Sequence, residues 1–255
     1  MTPEERERYA RHLLLKEVGG QGQQKLKNAR VLVVGAGGLG SPILSYLAAA
    51  GVGTIGISDD DTVALSNLQR QTLFQTPDVG REKTLASVDA VHRLNPLVTT
   101  IPLARITGDN ARAILHDYDL AIEGVDNFKT RYVLNRAAIA EKKPLISAAV
   151  GRFEGQLSTF KPYEAPGVLP CYRCLVPQEP PRESQVNCAK EGILGAVTGV
   201  VGTLAAMEAL KELLALGDSL AGRIMIYDGL GAAFRTLRLP ADPNCPDCSS
   251  TQKEA

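Results

Sequence analysis

Val31-Leu32-Val33-Val34-Gly35-Ala36-Gly37-Gly38-Leu39-Gly40 is the stretch on which the fold of this 255-residue chain turns. Its four apolar residues show no polar alternation, so the strand they form is buried on both faces, which is the habit of a parallel sheet. The glycines then take the spacing Gly35-x-Gly37-x-x-Gly40 and open a helical stretch, 41–50. A glycine turn between a buried strand and a helix N-terminus aims several backbone amides at one point, a natural seat for a nucleotide phosphate. Asp59 ends the next strand, 54–58, where a carboxylate can hold ribose hydroxyls. At this stage NAD(P), FAD and ATP all remain open, and glycines serving only close helix–strand packing are the plainer alternative.

Outward from this centre, strands and helices alternate. An amphipathic helix over 3–16 and a Gly/Gln turn over 19–23 precede the first strand. A helix over 81–94 carries Leu85, Val88, Val91 and Leu94 on one face and stops at Asn95-Pro96. A strand near 98–102, a short helix near 110–115, a strand over 119–123, a helix over 127–140 and a strand over 144–150 follow. Short joints between such elements imply a doubly wound, Rossmann-like α/β fold with a mainly parallel sheet. After Gly151 the grammar changes. Segments 156–161, 223–228 and 233–239 read as an antiparallel extension, with a helix of small residues over 192–216 and a Pro-rich loop over 176–186 between them. The expected organisation is a single domain over 1–255, with a nucleotide-binding core at 1–150 and the extension, loop and cysteine pairs at 151–255.

Composition narrows the function classes. Lys+Arg and Asp+Glu both number 28, so no global field favours nucleic acid or an anionic membrane surface. The N-terminus is charged where a secretory signal would be apolar, and the apolar run 192–207 is too short to span a bilayer and meets Glu208, Lys211 and Glu212. A cytoplasmic protein is expected, bound neither to membrane nor to nucleic acid.

Arg70, within Ser66-Asn67-Leu68-Gln69-Arg70-Gln71, and Lys83 place two cations near the glycine turn, which suits a triphosphate better than a dinucleotide. Asp126-Asn127 follows a strand at the ligand-binding edge; there Asp126 is either a Mg²⁺ ligand or merely a helix cap. Cys171-x-x-Cys174 and Cys245-x-x-Cys248 match the spacing of a closed four-thiolate Zn²⁺ site, with disulfides as the alternative. Cys188 is left over, near Lys190, as either an activated thiol or an inert one.

Taken together, Arg8-Tyr9-x-Arg11, Gly35 to Gly40, Asp59 to Asp61, Ser66 to Gln71, Asp126-Asn127 and the two cysteine pairs resemble the MoeB/ThiF family, bacterial relatives of ubiquitin-activating enzymes, over nearly the whole chain. The resemblance implies an adenylyltransferase that uses ATP and Mg²⁺ to activate the C-terminal Gly-Gly carboxylate of a ubiquitin-like sulfur carrier, first of all the small subunit of molybdopterin synthase. The thiazole-pathway carrier or another sulfur carrier is the alternative, and a dinucleotide oxidoreductase a distant one. It further implies nucleotide contacts from Gly37, Gly38, Gly40, Asp59, Asp61, Asn67, Arg70, Lys83, Asp126 and Asn127. Of these Arg70, Lys83 and Asp126 act in catalysis, together with Arg11 supplied by the second subunit of a homodimer; Cys188 corresponds to a cysteine that forms a covalent link to the carrier in parts of the family and is dispensable in others. The Pro-rich loop resembles the family's crossover loop, beneath which the carrier tail threads. Where the family often has an Asp and a Cys, this chain reads Glu123-Gly124-Val125, so the resemblance assigns Glu123 nothing. The chain also leaves no room for an appended rhodanese domain, so a separate sulfur donor is expected.

Overall fold

The computed structural model describes residues 1–181 and 192–249. Five strands, β1 (Arg30–Val34), β2 (Thr54–Ser58), β3 (Thr99–Leu103), β4 (Leu120–Glu123) and β5 (Leu145–Val150), pair in parallel. Three more, β6 (Glu154–Phe160), β7 (Arg223–Asp228) and β8 (Ala233–Arg238), extend the sheet antiparallel. The spatial order is β3-β2-β1-β4-β5-β6-β7-β8. The chain moves from β1 to β2 and β3 on one side, then crosses back to β4 on the other. The order therefore reverses between β1 and β4, and the carboxyl ends of those strands border the crevice where such sheets bind ligands.

The apolar run of β1 explains why the sheet is covered on both faces. Val31 and Val33 enter one core with α4 (Gly40–Ala50), α5 (Lys83–Leu94) and the long α9 (Gly195–Leu214). Leu32 and Val34 enter the other with α6 (Ala111–His116) and α7 (Phe128–Glu141). Burying each of these four side chains contributes about 1.5–3 kcal/mol. In β6, Leu157 and Phe160 still feed the two cores, whereas β8 forms an exposed edge.

The small residues of α9 allow it to lie against α4. A Cβ at Gly202 would meet the side chain of Pro42 and sit 2.7 Å from the Leu39 carbonyl oxygen. Among the described residues no helix is long and apolar enough to cross a membrane.

Three local expectations are corrected. The single helix over 3–16 is split at buried Tyr9 into α1 (Pro3–Arg8) and α2 (Ala10–Leu13). The Tyr9 hydroxyl accepts from Asn95 Nδ2 at 2.9 Å, and its ring fills the space a Cβ on left-handed Gly51 would need. The turn over 19–23 is instead the start of α3 (Gly19–Asn28). There Gln23 is buried and donates to the Ala50 carbonyl at 2.9 Å, so tertiary contacts override the low helix propensity of glycine. In α5 the buried face is Thr84, Ala86, Ser87, Ala90 and Val91, while Leu85 and Leu94 point to solvent. The small residues face inward because the helix lies close to the sheet.

Candidate nucleotide site and cysteine cluster

The glycine turn after β1 is held by close backbone approach. Gly35 takes φ +95°, and its amide donates to the Ser58 carbonyl at 2.8 Å. A Cβ at Gly40 would collide with the Gly35 carbonyl, so the third glycine serves helix–strand packing. Gly37 and Gly38 line a cavity of about 680 Å³ at the carboxyl ends of β1, β2 and β4. Of the residues expected to contact nucleotide, all but Gly40 line it.

Asp59 closes one side. Its carboxylate accepts the Ala36 amide at 2.7 Å and the Asp61 amide at 2.9 Å. Burial pushes its pKa above the usual aspartate range, against the pull of Lys83 and these two amides. Lys83, the first residue of α5, is buried and reaches Asp61 at 2.8 Å, while the Asp61 side chain is mostly exposed. Arg70 sits with its stem over Gly38 and donates to the Ser66 carbonyl at 3.1 Å. Asn67 lies beside it and accepts the Ala64 amide at 3.2 Å. Asp126 is exposed on the cavity wall; the cap of α7 is Asn127, which accepts from the Thr130 amide at 2.9 Å. The capping alternative for Asp126 is thereby excluded.

The cysteine pairs meet against the later part of α7, where Asn135 and Ile139 reach them. Cys171, Cys174, Cys245 and Cys248 are free thiols whose sulfurs all lie within 4.8 Å of one another. Cys171 is 3.9 Å from Cys174 and 3.5 Å from Cys245, and Cys174 is 3.5 Å from Cys248. A zinc ion with sulfurs at about 2.3 Å requires tetrahedral edges of about 3.8 Å, so the set fits that ion. The surroundings also suit thiolates. Asn135 Nδ2 donates to Cys171 Sγ at 3.6 Å and the Asp242 amide to Cys174 Sγ at 3.4 Å. The short helix α8 (Tyr172–Leu175) shapes the first pair.

The ThiF family, as described by its family model, matches residues 9–247. The chain belongs to the ThiF family. It is 47% identical to the sulfur carrier protein adenylyltransferase of Thermus thermophilus, over 99% of this chain and 95% of that one. It is 44% identical to the probable adenylyltransferase/sulfurtransferase MoeZ of Mycobacterium tuberculosis, over 96% of this chain but only 63% of that relative's length. Among solved structures, Escherichia coli MccB with MccA-N7isoASN superposes with a TM-score of 0.79, covering 95% of this chain and 74% of that one, at 22% identity. That likeness concerns the fold.

Two of the expected site residues are not among those seen to line the cavity. Arg11 is exposed on α2 and lines no part of the cavity of its own chain, and Cys188 lies outside the described residues. Conversely, the structure adds residues that the sequence reading missed. Buried Gln71 lines the cavity with its side-chain carbonyl oxygen unpartnered among the described residues. Glu123 is completely buried beneath the cavity and pairs with Arg131 at 3.2 Å. Burial raises the Glu123 pKa, opposed by the charge of Arg131 and by a hydrogen bond from Ser147. Tyr172, inside the first cysteine pair, also lines the cavity. Gln71 directly follows Arg70 in the motif already singled out, so a signal for it existed. Arg131 had none beyond a polar position in a helix.

Proposed function

We propose that this chain adenylates the C-terminal glycine carboxylate of a ubiquitin-like sulfur carrier, with the small subunit of molybdopterin synthase as the carrier placed first. The observation that carries the reading is the ring of Gly37 and Gly38 amides, Asp59, Arg70, Lys83 and Asp126 around one cavity at the sheet's crossover. The names of the close relatives support the same chemistry, and full-length similarity to the Thermus enzyme extends the support beyond the nucleotide core.

Asp59 accepts the ribose hydroxyls, and the glycine turn receives the phosphates. Lys83 exchanges its exposed partner Asp61 for a phosphate oxygen, while Arg70 and Asn67 hold the polyphosphate. Asp126 would hold Mg²⁺, which would offset charge on the phosphates. The carrier carboxylate oxygen attacks the α-phosphorus, the bond to the bridging oxygen breaks, and pyrophosphate leaves with the electron pair. Bringing two anions together is the difficulty of this step, and pre-aimed cations and amides lower that barrier. The tail enters past Val150, Gly155, Gln156 and Val176, which line the cavity. The four cysteines hold Zn²⁺ as a structural ion. A homodimer places Arg11 of one subunit at the other's cavity.

The carrier is named by measuring ATP–pyrophosphate exchange against a panel of purified carriers. Exchange that is fastest with the molybdopterin synthase subunit upholds the assignment; faster exchange with the thiazole carrier transfers it to that pathway.

A further inference from the structure

Arg131 uses every face of its guanidinium beneath the cavity. Its Nε and Nη2 donate to the Val125 carbonyl at 3.2 and 2.6 Å, and Nη2 also donates to the Ala148 carbonyl at 3.0 Å. Nη1 faces Glu123 at 3.2 Å and Ser147 at 3.4 Å. The other oxygen of Glu123 accepts the Val125 amide at 3.3 Å. Val125 is thus held at both its N–H and its C=O, and that C=O belongs to the peptide bond leading to Asp126.

The guanidinium is itself backed by Tyr172, whose ring centroid lies 5.8 Å from its central carbon. Tyr172 is fixed in turn: its amide donates to Asn135 Oδ1 at 2.9 Å, and its ring meets Tyr132 and Phe160 edge-on at 5.7 and 5.9 Å. Asn127, Arg131 and Asn135 are four residues apart and share one face of α7. The first caps the helix beside Asp126, the second clamps the preceding peptide, and the third bonds the cysteine cluster.

We propose that Arg131, backed by Tyr172 from within the first cysteine pair, is a positioning residue that sets the Val125–Asp126 peptide and thereby the metal-binding carboxylate of the nucleotide site. This rests on the reading of Asp126 as the Mg²⁺ ligand. Mg²⁺ demands near-ideal octahedral geometry, so its affinity responds to small displacements of a ligand. Partners one shell behind a metal ligand typically change affinity by about 10- to 100-fold when lost.

The test is calorimetric ATP binding as a function of Mg²⁺, with an arm in EDTA, for the full chain and for Arg131→Lys. Lysine keeps the charge opposite Glu123 but cannot fork onto two carbonyls. The expected result is a rise of roughly tenfold or more in the Mg²⁺ concentration for half-saturation, with Mg²⁺-free ATP affinity and metal content of the cysteine cluster unchanged. Tyr172→Leu is expected to shift the same quantity by roughly threefold, and it decides the question if Arg131→Lys does not fold. Unchanged Mg²⁺ dependence, or a parallel fall of Mg²⁺-free and Mg²⁺-bound affinities, overturns the proposal. Wild-type protein without any Mg²⁺-dependent ATP binding would instead remove the nucleotide reading on which the proposal stands.

Discussion

Asp126 and Asp59 border the same cavity, yet their surroundings assign them different work. Asp126 is exposed, with its peptide clamped and the cap role taken by Asn127, which leaves its carboxylate available for the metal role proposed above. Asp126→Ala is expected to lower carrier-dependent pyrophosphate exchange by orders of magnitude while leaving the far-ultraviolet circular dichroism unchanged. Near-normal exchange at saturating Mg²⁺ would refute the assignment. Asp59 is half-buried, and its raised pKa has a consequence for pH. On the proposed reading the ionised form accepts ribose hydroxyls, so affinity should be full above the raised pKa of the free protein and fall as pH drops through it. Burial raises that pKa, so the fall begins at a higher pH than an exposed aspartate would give. Adenosine carries no titrating phosphate, and protonation of its adenine N1 is common to wild type and variant. The acid limb of its affinity should therefore move to lower pH in Asp59→Asn, and an unmoved limb would deny Asp59 the ribose role.

At the scale of elements, the packing of α9 on α4 fixes the phosphate loop from behind. Leu39, immediately before α4, has its carbonyl 2.7 Å from where a Cβ on Gly202 would sit, and backbone cannot swing aside as a side chain can. Gly202→Val is therefore expected to cost about 1–3 kcal/mol in urea unfolding and to weaken ATP binding, since Leu39 must move; a neutral effect on both would show that the helices separate freely. Elements with a local signature were legible in the sequence: β1 by its unbroken apolar run, the turn by its glycine spacing, the cysteine cluster by two Cys-x-x-Cys pairs. α3 and the inward face of α5 were not. Gly19 to Gln23 carries turn residues, and only the pocket formed by Val18, Ala50 and Leu214 makes them helical. Arg131 was illegible for a related reason. A polar residue in a helix normally reads as a solvated face, and its partners Glu123, Val125 and Ala148 come together only once β4, β5 and α7 are placed.

At the scale of the molecule, two features tie distant parts of the chain together. The four thiols join residues 171–174 to 245–248, across most of the antiparallel extension. Elemental analysis should find one zinc per chain, and Cys245→Ser should lose it together with a large share of the unfolding free energy; zinc-free protein of undiminished stability would contradict the cluster's role. Arg11, exposed and away from its own cavity, is expected to act in the partner's. Mixing inactive Arg11→Ala with inactive Asp126→Ala under conditions of subunit exchange should then restore part of the activity, because one site of each heterodimer is complete. No recovery despite demonstrated exchange would place Arg11 elsewhere. The most direct measurement is of what the carrier receives from ATP. With ATP labelled at the α-phosphate, adenylation predicts label on a carrier ending in Gly-Gly, released as AMP by hydroxylamine, with pyrophosphate as co-product and no label on a carrier lacking its last glycine. Label that never reaches the carrier while ADP and a phosphorylated carrier accumulate would contradict it.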